Sequence, residues 1–272
     1  MGRAWPPADL APNTTDVELI SDGLRLEAHL ARPQASAAGG DRTRPGLLIA
    51  HPFPEPAQGA ARGWATYPEL ADRIASGSGW VCLTVAMRGV AGSEGDFSLA
   101  GWLRDLEVGL EALLDQPEVA GAWVCGFGLG GALALCLAAQ DDRVLGVASF
   151  AAPADLDDWA ADPRRFLEHA RTVGLVRSPG FPPDLDRWTR ELRDIRPLRD
   201  INRIPPRPLL IVHGSDDDLV PLVDARALAD AADGLADLRV VSSAGHQLRH
   251  DPRAVAVLLG WLDRAVTPLV DG

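Results

Sequence analysis

Short, unbroken apolar runs alternate along this chain with stretches whose apolar residues recur in steps of three and four. The first rhythm marks strands buried on both faces of a sheet, and the second marks amphipathic helices laid against one. Gly46–Ala50, Trp80–Val85, Val144–Phe150, Pro208–Val212 and Leu238–Ser242 read as strands, as does the apolar run that ends at Gly126. Tyr67–Ser76, Leu99–Leu114 and Val223–Ala232 read as helices. In Leu99–Leu114 the apolar face is Leu99, Trp102, Leu103, Leu106, Leu110, Leu113 and Leu114. Asp251-Pro252 has the form of an N-cap with proline at the first helical position, opening a last helix through Arg264.

Near the start the rhythm is different. Asp16–Ile20 and Leu24–Ala31 alternate apolar with polar around Ser21-Asp22-Gly23, which predicts an antiparallel hairpin. Residues 1–12 are rich in Pro and Ala and read as a loose tail, and Gln34–Arg44 reads as a loop. Residues 154–206 are polar, rich in Arg and Asp, and helical in pattern over Asp157–Leu175 and Pro183–Asp194. More than fifty residues without a strand predict an insertion over one end of the sheet, not a crossover helix. The expected class is therefore α/β: a mostly parallel, doubly wound sheet with an antiparallel N-terminal edge. Its core would be residues 13–153 and 207–267, with a helical cap at 154–206. No internal repeat is visible.

Composition narrows the function classes. A net charge of −12 argues against nucleic acid or an anionic membrane as partner. All 26 basic residues are Arg, so Schiff-base chemistry, a Walker lysine and a lysine general base are excluded together. Cys82, Cys125 and Cys136 lie inside apolar runs, at a spacing that suggests neither disulfides nor a metal site. No signal peptide or membrane-spanning stretch is evident, so a cytoplasmic protein is expected.

The stretch Ala122–Leu135 concentrates the chemistry. Four glycines fall within the six residues from Gly126 to Gly131, between an apolar strand and an apolar helix. Strand, tight turn and buried helix is the sequence form of a nucleophile elbow, G-x-S-x-G, but its centre is Gly128. The same residues match the dinucleotide fingerprint G-x-G-x-x-G at Gly126, Gly128 and Gly131. That motif belongs in the first strand–helix unit, with an acidic residue ending the next strand. Several strands precede it here and the next ends in Ser149-Phe150, so no cofactor is expected.

Other motifs stand in a telling order. His51-Pro-Phe53 ends a strand, Arg88-Gly-Val-Ala-Gly-Ser follows another, and Gly126-Phe-Gly-Leu-Gly130 forms the turn. His213-Gly-Ser-Asp-Asp217-Asp-Leu-Val-Pro221 and Ala244-Gly-His246 come later. Over about residues 15–265 the chain resembles the α/β-hydrolase family. The resemblance implies that Asp217 is the acid, His246 the base and Gly128 the nucleophile position, without a side chain. It implies oxyanion donors from the backbone of Leu129 and Phe53, since Pro52 and Pro54 have no N–H. Asp218 is the fallback acid, with Asp216 a solvated neighbour.

Several side chains carry open readings. Ser149, Ser93 and Cys125 are the candidate substitute nucleophiles, each with a structural role as the alternative. His51 and the aromatics Trp159, Phe166, Phe181 and Trp188 line a pocket for a small ligand, or pack their own surroundings. His213 is read as structural, and His29, His169 and His250 are assigned no role. Two functions follow. One is a hydrolase-like enzyme using the His246–Asp217 dyad and the oxyanion donors on a small, apolar ester- or amide-type ligand. The other is a non-catalytic protein that keeps the fold to bind a ligand or partner. Oligomeric state is not legible.

Overall fold

The computed structural model describes residues 13–34 and 43–270. The expected loose tail at 1–12 and most of the loop at 34–44 lie outside the described residues. The strands are β1 Asn13–Ser21, β2 Leu24–Arg32, β3 Arg44–Ala50, β4 Val81–Val85, β5 Val119–Phe127, β6 Val144–Phe150, β7 Leu209–Gly214 and β8 Asp237–Val241. They form one sheet in the order β1-β2-β4-β3-β5-β6-β7-β8. Only β2 runs antiparallel to its neighbours, β1 and β4. The hairpin therefore forms the edge, as its alternating pattern predicts.

Both faces of the central strands are buried, which explains their unbroken apolar runs. Leu48 and Ala50 of β3, Ala122 and Val124 of β5 and Leu209 and Ile211 of β7 belong to one core layer. Their neighbours Leu47, Ile49, Trp123, Cys125, Leu210 and Val212 point into the other. Helices α2 Leu99–Leu114, α3 Leu129–Gln140 and α8 Leu222–Ala231 cover the first layer. Helices α1 Tyr67–Ser78 and α9 Pro252–Val270 cover the second. Asp251 accepts a hydrogen bond from the Arg253 N–H, the expected start of α9.

The segment 154–206 folds as helices α4 Asp157–Ala161, α5 Pro163–Thr172, α6 Leu185–Asp194 and α7 Pro197–Asp200. The pattern at Asp157–Leu175 predicts a longer helical stretch than forms. Pro163 cannot continue α4, and the Asp162 carboxylate instead caps α5 by accepting from the Arg165 N–H. Among the described residues no helix is long and apolar enough to cross a membrane.

The turn between β5 and α3 is governed by backbone crowding. A Cβ on Gly130 would lie 2.2 Å from the His51 carbonyl oxygen, and one on Gly126 would lie 2.2 Å from that of Gly130. Only glycine lets α3 approach β3 and β5 so closely. Gly128 differs. Its φ of +51° favours glycine, but a Cβ there would meet the Pro52 Cβ at 3.1 Å and His246 Nε2 at 3.4 Å. The first contact is tight by a few tenths of an ångström, and the second is ordinary.

His29 on β2 joins the hairpin to α1, with Nδ1 3.0 Å from Asp16 Oδ1 and Nε2 2.7 Å from Asp72 Oδ1. Burial opposes its charge, but the hydrogen bonds to Asp72 and Asp16 outweigh it and raise its pKa above 6.5. A group with a raised folded pKa stabilises the fold fully below its unfolded pKa. That contribution is lost as pH rises through the folded pKa.

Two stability predictions follow from these contacts. Gly130→Ala should cost more than about 4 kcal/mol or prevent folding, whereas Gly128→Ala should cost about 1–3 kcal/mol. Denaturant titration of both variants distinguishes them, and equal costs would contradict the crowding argument. The stability advantage of wild type over His29→Gln should be larger below pH 6.5 than in alkaline solution. A difference independent of pH would count against the paired imidazolium.

Candidate functional site

The tight turn after β5 places Gly128 at the start of α3. Its N–H donates to the Phe150 carbonyl at 2.8 Å, and its own carbonyl accepts from the Gly131 and Ala132 N–H groups. Its missing side chain would point at His246 Nε2. A residue at position 128 therefore faces the imidazole across 3.4 Å from its Cβ. Sequence separates these two positions by more than a hundred residues, and the sheet brings them together.

His246 is oriented from behind. Its Nδ1 lies 3.0 Å from Asp217 Oδ2, in the loop that leaves β7. The other oxygen, Oδ1, accepts from the Leu219 N–H at 3.0 Å and the Val220 N–H at 2.9 Å. The Asp217 side chain is wholly buried, and His246 is 19% exposed. Burial by itself would push the Asp217 carboxyl up, but the hydrogen bond from His246 and those from the loop N–H groups hold it below its ordinary range. An ionised Asp217 keeps the proton on Nδ1 and leaves Nε2 free to accept one. Asp218 and Asp216 are exposed, the latter accepting from the Ser215 hydroxyl. His213 Nε2 donates to the Val220 carbonyl at 2.9 Å and so braces the same loop.

Gly128 and His246 open onto a cavity of about 400 Å³. Phe53, Leu129, Tyr67, Phe127, Trp159 and His169 contribute to its wall. Among the described residues, neither the Phe53 nor the Leu129 N–H has a hydrogen-bond acceptor. Leu129 opens α3, where a free N–H is expected. The Phe53 ring packs 5.3 Å from Trp159 and stacks on His169 at 5.6 Å. Through these contacts the 154–206 segment supplies part of the wall.

Four expected pocket residues, His51, Phe166, Phe181 and Trp188, are not part of the cavity wall. His51 is fully buried, with Nδ1 donating to the Pro52 carbonyl and Nε2 accepting from the Met87 N–H. Burial lowers its pKa to about 4, so it is a neutral brace between the ends of β3 and β4. Trp188 is buried against Phe166, and its indole N–H donates to the Phe97 carbonyl. Its pattern on α6 marked it as apolar, and packing consumed it.

The candidate substitute nucleophiles are also outside the cavity wall. Ser93 is buried, accepts from the Glu27 N–H and donates to the Ala86 carbonyl. Ser149 is buried in β6 with no partner for its hydroxyl among the described residues. Cys125 is buried in β5, and burial raises its thiol pKa far above the ordinary range, away from the reactive thiolate. Conversely, His169, Tyr67, Glu55, Gln247 and Arg249 line the cavity without having stood out in the sequence. Arg249 carried one signal: it follows His246 by three residues.

A family model described as the alpha/beta hydrolase family matches residues 16–258. No curated protein matches the chain. Among solved structures the chain is similar to the esterase Pf2001 of Pyrococcus furiosus, at 17% identity and a TM-score of 0.68, with 97% of each chain covered. It is similar to the alpha/beta hydrolase GrgF of Penicillium sp. sh18, at 19% identity and a TM-score of 0.69, covering 93% of this chain and 98% of that one. A hypothetical protein of Pseudomonas aeruginosa, PA2218, gives 20% identity and a TM-score of 0.67, covering 97% of this chain and 98% of its own. At such identities the structural likeness speaks for the fold alone. With a family match over most of its length and a sheet of this topology, the chain belongs to the alpha/beta hydrolase family.

Proposed function

We propose that the protein is a hydrolase-like enzyme acting on a small, apolar ester- or amide-type ligand, without a serine nucleophile. One observation carries the reading: His246 Nε2 faces Gly128, while Nδ1 is held by buried Asp217. Gly128 then stands where the family has its attacking serine, and the general base remains.

Without a side chain at residue 128, the nucleophile is water. His246 Nε2 accepts a proton from a water held beside Gly128, and the oxygen attacks the acyl carbon. The carbonyl electron pair moves to oxygen, where the N–H groups of Phe53 and Leu129 stabilise the anion. As the intermediate collapses, the imidazolium returns its proton to the leaving alcohol or amine. Asp217 stabilises the imidazolium in between, without taking its proton. The products are an acid and an alcohol or amine, with no acyl-enzyme. Residues 154–206 act as the cap, and their Trp159 and His169 favour an apolar ligand that fills the cavity. The negative net charge favours a small molecule over nucleic acid or an anionic membrane.

The test is a panel of esters, amides and lactones. Wild type should turn over a member of it, and His246→Ala should abolish that turnover. Asp217→Asn should lower kcat by about 10²–10⁴-fold, because the imidazole loses its tautomer and orientation. Gly128→Ser should gain esterase activity and label with a fluorophosphonate that leaves wild type untouched. Undiminished turnover in His246→Ala overturns the dyad. A wild type that binds a ligand of the panel saturably and never consumes it would instead be a non-catalytic binding protein.

A further inference from the structure

Among the described residues two arginines are at least nine-tenths buried, and they are treated differently. Arg88 is 8% exposed and is neutralised by Asp105 and Asp22, at 2.7 and 2.9 Å. Arg249 is 9% exposed, and among the described residues it forms no ion pair. Among those residues its hydrogen bond runs from Nη2 to the Thr66 carbonyl, and its buried Nε has no acceptor there. Its guanidinium carbon lies 5.8 Å from the Tyr67 ring centre, a cation–π contact that offsets only part of the desolvation. Burial pulls its pKa down despite Tyr67 and Glu69 nearby. Glu69 is exposed on α1, and Arg73 on the same helix adds charge of the same sign. A buried charge without a counter-ion is costly, and such costs concentrate where a ligand supplies the missing partner.

Arg249 lines the same cavity as Gly128 and His246. We propose that it forms an anion-recognising end of that cavity, so that the ligand carries a single carboxylate beside its apolar part. The inference rests on reading this cavity as the ligand pocket, but not on turnover. A carboxylate suits the site better than a doubly charged phosphate, because Glu55 lines the same wall, where it accepts from Gln247. The ligand carboxylate then does for Arg249 in the complex what Asp105 does for Arg88, accepting charge-assisted hydrogen bonds from the guanidinium.

The experiment is calorimetric titration of the full chain with 3-phenylpropanoate and with its neutral amide, 3-phenylpropanamide. Wild type should bind the anion about tenfold or more tightly than the amide, since charge-assisted hydrogen bonds in a desolvated site are strong. Arg249→Gln should lose that preference, and Arg249→Lys should retain part of it. His246→Gln should keep the preference, which separates the arginine from the histidine as the reader of charge. Equal affinity for both probes in wild type overturns the proposal, as does absence of saturable binding of the anion at millimolar concentration. A preference lost in His246→Gln and kept in Arg249→Gln also overturns it. Because binding alone is read, an anion preference in a protein without turnover would count against the hydrolytic reading and leave this one standing.

Discussion

The approach of α3 to the ends of β3 and β5 is the constraint from which the site follows. It is possible because Gly126 and Gly130 have no Cβ where one would press into a backbone oxygen at 2.2 Å. Helix α3 is apolar on every side and almost wholly buried, so it has nowhere to shift if that contact opens. The same contact brings the β3 end, with Pro52 and Phe53, against the turn that carries Gly128 and Leu129. His51 locks this junction by bridging to the β4 end through the Met87 N–H. A packing requirement thus sets the positions of Phe53 and Leu129, whose N–H groups are the proposed oxyanion donors.

Electrostatics arranges what packing leaves open. The Asp217 carboxylate is buried, which is costly for a charge, and three hydrogen bonds offset that cost. One of the three comes from His246, so the loop's solution to its own burial also aims an imidazole at residue 128. Arg249 has no ion-pair partner among the described residues, and its hydrogen bond goes to the neutral Thr66 carbonyl. His246, backed by Asp217, and Arg249 line one cavity, and on our proposal that suits a ligand with two chemically different ends.

Most of the fold was legible because its signals are local. Strands buried on two faces must be apolar throughout, helices laid on a sheet must be apolar on one stripe, and proline stops a helix wherever it falls. Pro163 bore on the split between α4 and α5, though the periodicity around it overstated the helix. That Asp217 and His246 belong together was suggested by the family resemblance, because each sits in a short loop motif in the order that family has, and the two side chains do meet. Arg249 was not legible. An arginine in a charged surface turn and a buried arginine without an ion pair look identical until burial is known. His51 and Trp188 failed in the opposite way: residue types that suit a pocket were consumed by packing, His51 behind the wall and Trp188 against Phe166.

By itself, the chain's order of apolar and polar residues determined an α/β sheet with an antiparallel edge, a helical segment at 154–206, and a glycine turn lacking a hydroxyl. Those properties depend on neighbours in sequence, so a one-dimensional pattern carries them. Which groups share the cavity was decided only by tertiary structure. The 3.4 Å from the Gly128 Cβ position to His246, the bond from His246 to Asp217, and the burial of Arg249 without an ion pair among the described residues arise between residues brought together in space. Contacts of this kind depend on burial and close approach in space, and neither is written in the spacing of residues along the chain.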